Sequence, residues 1–160
     1  MRVVVLAVGK LKAAPEQELA GEYLLRAAKL GRKLGIASVD FIGVPESRAA
    51  TAPLRRNEEA IALLARASPK ALMISLDERG MELTSTAFAA ELRRFIDRGA
   101  AELAFLIGGP DGHADEIKNH AALQLSLGKM TWPHRLVRPM LAEQIYRSVT
   151  ILLNHPYHRA

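Results

Sequence analysis

Leu103-Ala-Phe-Leu-Ile-Gly-Gly-Pro-Asp-Gly112 opens with five apolar residues in unbroken succession and closes with three glycines and a proline. A strand with one wet face alternates apolar and polar residues. An unbroken run is what a parallel strand covered on both faces requires. Gly108-Gly109 ends the run and Pro110 fixes φ just beyond it. The same pattern recurs upstream in Arg2–Val8, Ser38–Val44 and Ala71–Leu76. Leu123–Leu127 begins a fifth run of this kind.

Segments of helical period separate these runs. Glu16–Leu34 carries Leu19, Tyr23, Leu24, Ala27 and Leu30 on one stripe, and Arg55–Ala67 does so with Ala60, Leu63, Leu64 and Ala67. Ser85 or Thr86 is the expected N-cap of a helix with the stripe Phe88, Leu92, Phe95 and Ile96, and Gly99 is its stop. A last helix is expected from near Pro139, a residue suited to a first helical turn, with Leu141, Ile145, Val149 and Leu152 inward. Strand–helix alternation of this kind predicts an α/β fold, a parallel sheet flanked by helices. At 160 residues, with no repeat, linker or low-complexity stretch, residues 1–160 read as a single domain.

Composition narrows the function. With no cysteine, disulfides, thiolate catalysis and cysteine-ligated metals are excluded. No stretch reaches the roughly 18 apolar residues of a membrane-spanning helix. The opening apolar run is too short for a signal-peptide core, so a cytoplasmic protein is expected. The 22 basic residues outnumber the 17 acidic ones, giving +5 and a pI of 9.8. From His120 onward lie Lys129, Arg135, Arg138, Arg147 and Arg159 against Glu143 alone, together with His120, His134, His155 and His158. That end is the expected place for phosphate contacts, although a solvated basic surface gives the same pattern.

Ligands of open parallel sheets sit in loops beyond the strands' carboxyl ends. Three such loops are Leu76–Gly80, Gly108–Gly112 and Ser126–His134. Gly108-Gly109 permits close backbone approach to a ligand, or serves as a plain strand-to-helix turn. Neither a Gly-x-Gly-x-x-Gly fingerprint nor a Walker A loop is present. Adjacent Asp77 and Glu78 point to opposite faces of an extended chain, a poor acid–base pair better suited to surface solvation. His134, His155 and His158 lack the spacing of a metal site. Trp132 could stack on a base or pack beside Pro133.

Four motifs carry a family resemblance: Val5-Leu-Ala-Val-Gly-Lys-Leu-Lys12, Phe105–Gly112, Leu125-Ser-Leu-Gly-Lys-Met-Thr-Trp-Pro-His134, and the terminal Glu143–Arg147 with Asn154-His-Pro-Tyr-His-Arg159. In order, spacing and position the chain resembles the SPOUT-class family of large-subunit ribosomal RNA methyltransferases H, which N3-methylate a pseudouridine of 23S rRNA in the helix 69 region of the assembled ribosome. The resemblance implies a homodimer whose α/β fold ends in a C-terminal trefoil knot. It implies S-adenosylmethionine as cofactor, held by Leu76, Gly108, Leu127, Gly128, Lys129, Met130, Thr131 and Trp132. Leu76, Leu127 and Met130 suit the apolar walls adenine wants. The chain departs from the family at Gly128, where serine is common, and at Met81, where lysine often follows Gly80.

Loss of the N3 proton calls for an acceptor near neutral pH, which makes His134 and His158 the candidates. Arg138, Arg147 and Arg159 are expected on phosphates and Tyr157 on the target nucleotide, with interface packing as the plainer role for the tail. A non-catalytic, basic ribosome-binding module remains the alternative. It would bind RNA in a salt-sensitive way and ignore S-adenosylmethionine.

Overall fold

A computed structural model describes residues 1–10 and 13–158. Lys12 of the first motif and Arg159 lie outside the described residues. Five strands, β1 (Arg2–Val8), β2 (Ser38–Val44), β3 (Leu72–Glu82), β4 (Glu102–Ile107) and β5 (Leu123–Ser126), form one sheet in the order β2-β1-β4-β3-β5. Every pairing is parallel, with Arg2 opposite both Ser38 and Glu102.

Burial explains the unbroken apolar runs. Along β1, Val3, Val5 and Ala7 point into one core with α1 (Pro15–Gly31), α3 (Ser85–Asp97) and α5 (His134–Leu152). Val4, Leu6 and Val8 point into another with α2 (Ala52–Leu64) and α4 (Asp115–His120). Both faces of β1 and β4 are thus dry, and a polar residue on either would lose its water without a partner. Arg2, at the opposite end of β1 from the cavity described below, bonds Asp40 at 2.9 Å and Glu102 at 3.0 Å, tying the three strand starts together.

Several boundaries differ from expectation. The cap of α3 is Thr84, whose hydroxyl accepts from the Ala87 amide at 3.1 Å, one residue before Ser85. Strand β3 runs six residues past Leu76, because Met81 and Glu82 resume pairing with Leu125 and Ser126 after an irregularity. Helix α1 ends at Gly31 and passes into a 3-10 turn, Arg32–Leu34. Helix α5 starts at His134, with Pro139 inside it. The Pro133 carbonyl accepts from the Leu136 and Val137 amides and so closes the first turn ahead of Pro139.

Candidate functional site

A cavity of about 680 Å³ opens at the carboxyl ends of β3, β4 and β5. That volume suits a small-molecule ligand. Leu76 and Gly108 line it from β3 and the end of β4, and Leu127, Gly128, Met130, Thr131 and Trp132 from the loop after β5. His134 stands at the start of α5 on the same wall. Three loops drawn from across residues 76–132 therefore meet in one place. Lys129 belongs to the loop but not to the lining.

The shape of the wall depends on glycine at two points. A Cβ at Gly108 would lie 3.1 Å and 3.2 Å from the carbonyl carbon and oxygen of Gly112 and 3.3 Å from His113 Cε1, so the turn folds back tightly on itself. Gly128 takes φ +122°, which L side chains rarely adopt. Its amide donates to Ser126 Oγ at 3.2 Å, and the Ser126 hydroxyl donates to the Gly128 carbonyl at 3.0 Å. The departure from serine at this position thus matches the backbone that the loop follows here.

Charge within the cavity is more ordered than the sequence suggests. Asp77 is not a solvated surface residue: its side chain is 12% exposed and pairs with Lys118 at 3.2 Å. Burial alone would raise its carboxyl. The Arg79 amide and the Lys118 ammonium outweigh that and hold it below the usual carboxylate range. His113, which sequence reasoning passed over, is buried in the floor. Burial pushes its pKa down, and as the neutral ring it donates from Nε2 to the Leu106 carbonyl at 3.1 Å. From α2, Arg55 grips Asp111 through Nε at 2.6 Å and a second nitrogen at 3.2 Å, bracing the glycine turn from behind. Only the position of His113 directly after Gly112 could have drawn attention to it.

The tail lies apart from this cavity. The Tyr157 ring packs 4.7 Å from that of Tyr146, under the Arg147 guanidinium at 5.0 Å, and its hydroxyl donates to Glu143 Oε1 at 3.1 Å. Burial, Tyr23 and Glu143 all raise the pKa of that hydroxyl. Arg147 also donates to Glu143 from Nε at 2.8 Å, so its charge is largely spent within the protein. His158 is half-buried, and its Nδ1 has no hydrogen-bond partner among the described residues. Arg138, expected on a phosphate, is 6% exposed and donates from Nη2 to the Val8 carbonyl at 2.8 Å and the Gly9 carbonyl at 3.2 Å. Among the described residues no cluster of three or more metal-ligating side chains occurs, and no helix is long and apolar enough to cross a membrane.

An open parallel sheet with a ligand-sized cavity at its carboxyl edge defines an α/β protein of the cofactor-binding kind. Residues 1–158 match the model of a family described as "Predicted SPOUT methyltransferase". The chain belongs to the SPOUT methyltransferase family. Curated relatives include ribosomal RNA large subunit methyltransferase H of Rhodopseudomonas palustris, 52% identical over the full length of both chains, and that of Bradyrhizobium diazoefficiens, 50% identical over the same span. Among solved structures, the SpoU methyltransferase AviRb from Streptomyces viridochromogenes, in complex with AdoMet, aligns over 95% of this chain and 58% of its own with 12% identity and a TM-score of 0.41.

Proposed function

We propose that this chain transfers a methyl group from S-adenosylmethionine to N3 of a pseudouridine in the helix 69 region of 23S rRNA, acting on the assembled ribosome as a homodimer in the cytoplasm. The observation that carries the reading is the convergence of Leu76, Gly108 and the 127–132 loop on one cavity. The residues present fit the cofactor. Leu76, Leu127 and Met130 offer apolar walls, and Gly108 brings bare backbone to the lining in a turn too tight for a side chain. Full-length identity near one-half to methyltransferases H supports rRNA as the acceptor, and membership of the family supports a knotted C-terminal region.

S-adenosylmethionine supplies an electrophilic methyl on sulfur. The protein's own task is to align the acceptor and remove a proton, and alignment contributes much of the acceleration. As the N3–methyl bond forms and the sulfur–methyl bond breaks, the N3 proton must leave. His134 stands at the cavity wall with its pKa lowered by burial and by Arg138, so it is neutral at physiological pH and able to accept that proton. His158 is the second candidate acceptor, delivered by the tail of a second copy.

A second groove of about 660 Å³ supports the dimer. It is lined by Leu19, Tyr23, Phe88, Leu136 and Met140, and shares Leu125–Gly128 with the cofactor cavity. Leu19 and Leu136 are 46% and 40% exposed there, apolar surface that a second copy would cover. Incubation with methyl-labelled S-adenosylmethionine and, separately, intact ribosomes, 50S subunits and naked rRNA tests the reading. Label in the large-subunit RNA of intact ribosomes is expected. Cofactor-independent RNA binding with no label in any sample would favour the binding-module alternative.

A further inference from the structure

Arg138 is a buried cation whose partners are backbone carbonyls at the carboxyl end of β1. Its guanidinium also lies 5.8 Å over the Phe41 ring of β2. No acidic side chain pairs with it among the described residues, and its Nε–H has no partner. A charge kept in so dry a place, with the Glu16 carboxylate near but not bonded to it, costs stability, which an apolar residue of the same size would not. Its position offers a reason for keeping it. Arg138 is one helical turn beyond His134, on the same face of α5. A Cβ built on Gly9 would lie 2.8 Å from Arg138 Nη2 and 3.9 Å from His134 Nε2, so both side chains converge on the same backbone carbonyl turn.

We infer that Arg138 is a positioning residue: by clamping the first turn of α5 to the Val8 and Gly9 carbonyls, it sets the His134 imidazole at the cavity wall as a neutral base. The inference rests on the proton-acceptor reading of His134 given above. The surroundings of His134 agree with it. Burial lowers its pKa first, and Arg138 and Arg135 on α5 lower it further, while Glu46 beyond β2 opposes them. Lys10 and Glu16, of opposite charge, share a small recess with Arg135 and Arg138. The clamp also fixes the point at which the 127–132 loop ends, so one side chain sets both the cofactor loop's exit and the base.

The test is a titration of His134 by NMR, its resonance assigned by loss in His134→Asn, together with kcat and KM for methyl transfer. Arg138→Gln removes a neighbouring positive charge and should raise the His134 pKa. It should lower kcat roughly tenfold or more, with KM for S-adenosylmethionine changed much less. Arg138→Lys keeps the charge but not the two-carbonyl fork. It should leave the His134 pKa near its original value and still lower kcat. Should Arg138→Gln fail to fold, Arg138→Lys carries the test through kcat. An unmoved His134 titration or an unchanged kcat in a folded Arg138→Gln protein, or an unchanged kcat in a folded Arg138→Lys protein, overturns the inference. Unimpaired turnover by His134→Asn would instead remove the proton-acceptor reading, and the Arg138→Gln titration would still decide the coupling by itself.

Discussion

At Gly108 there is room for a hydrogen and little more, because the chain returns on itself through Gly112 within 3.2 Å of where a side chain would begin. Gly108→Val should weaken S-adenosylmethionine binding tenfold or more, about 1.4 kcal/mol, when titrated calorimetrically. Unchanged affinity in the folded variant would place the cofactor elsewhere. His134 makes a second prediction at this scale. Its folded pKa is lowered, so the neutral, proton-accepting form persists to lower pH than for an ordinary imidazole. Activity should therefore be flat through neutral pH and fall only as pH drops through that lowered value. A fall beginning at or above the ordinary imidazole range, in a pH–rate profile, would point to a different base. Sequence showed the types of these residues but not their depth. Adjacent Asp77 and Glu78 both line the cavity, and adjacency carries no information on which of the two is the less exposed. It was the Lys118 partner, supplied by α4, that turned Asp77 into a cavity residue. Arg138 was misplaced for a related reason: a basic run states charge, whereas its two carbonyl partners come from β1, some 130 residues earlier.

Among the elements, the buried strands were the most legible, since β1 and β4 leave no wet face to break their apolar runs. Ends were harder to read, because they depend on contacts from outside the element. Strand β3 continues only by virtue of β5 beside it, and α5 starts early because Pro133 nucleates its first turn. Helix α4, six residues with Ile117 alone buried, is too short to show a period. The tail also differs from a dispensable chain end. Asn154 at φ 51° turns the chain, the His155 amide donates to the Thr150 carbonyl at 2.9 Å, and Tyr157 packs onto Tyr146 and the main core. Deleting residues 157–160 should thus lower the melting temperature by several degrees, corresponding to about 1–3 kcal/mol for a lost half-buried aromatic. It should abolish methyl transfer to ribosomes while leaving S-adenosylmethionine affinity within about twofold, since the tail is not part of the cavity lining. Full turnover by the truncated protein would exclude Tyr157 and His158 from the reaction.

For the whole molecule, the cavity at the carboxyl ends of the strands and the apolar groove meet at Leu125–Gly128, so a second copy seated in the groove would stand against the loop proposed to hold the cofactor. Light scattering at micromolar concentration should give twice the 17.5 kDa chain mass. A mass of one chain would count against a shared site. Neither the groove nor the way three distant loops close on one cavity was legible from local pattern, because both arise from the strand order β2-β1-β4-β3-β5. The family motifs singled out the loops that share this cavity, which periodicity could not. What the assembled molecule does to RNA is read from the product. Intact ribosomes lacking the modification, incubated with the protein and methyl-labelled S-adenosylmethionine, should yield, on digestion of their 23S rRNA to nucleosides and mass spectrometry, a single labelled species, pseudouridine carrying one methyl on N3. Label on another nucleoside, or none on any RNA despite bound cofactor, would contradict the assignment.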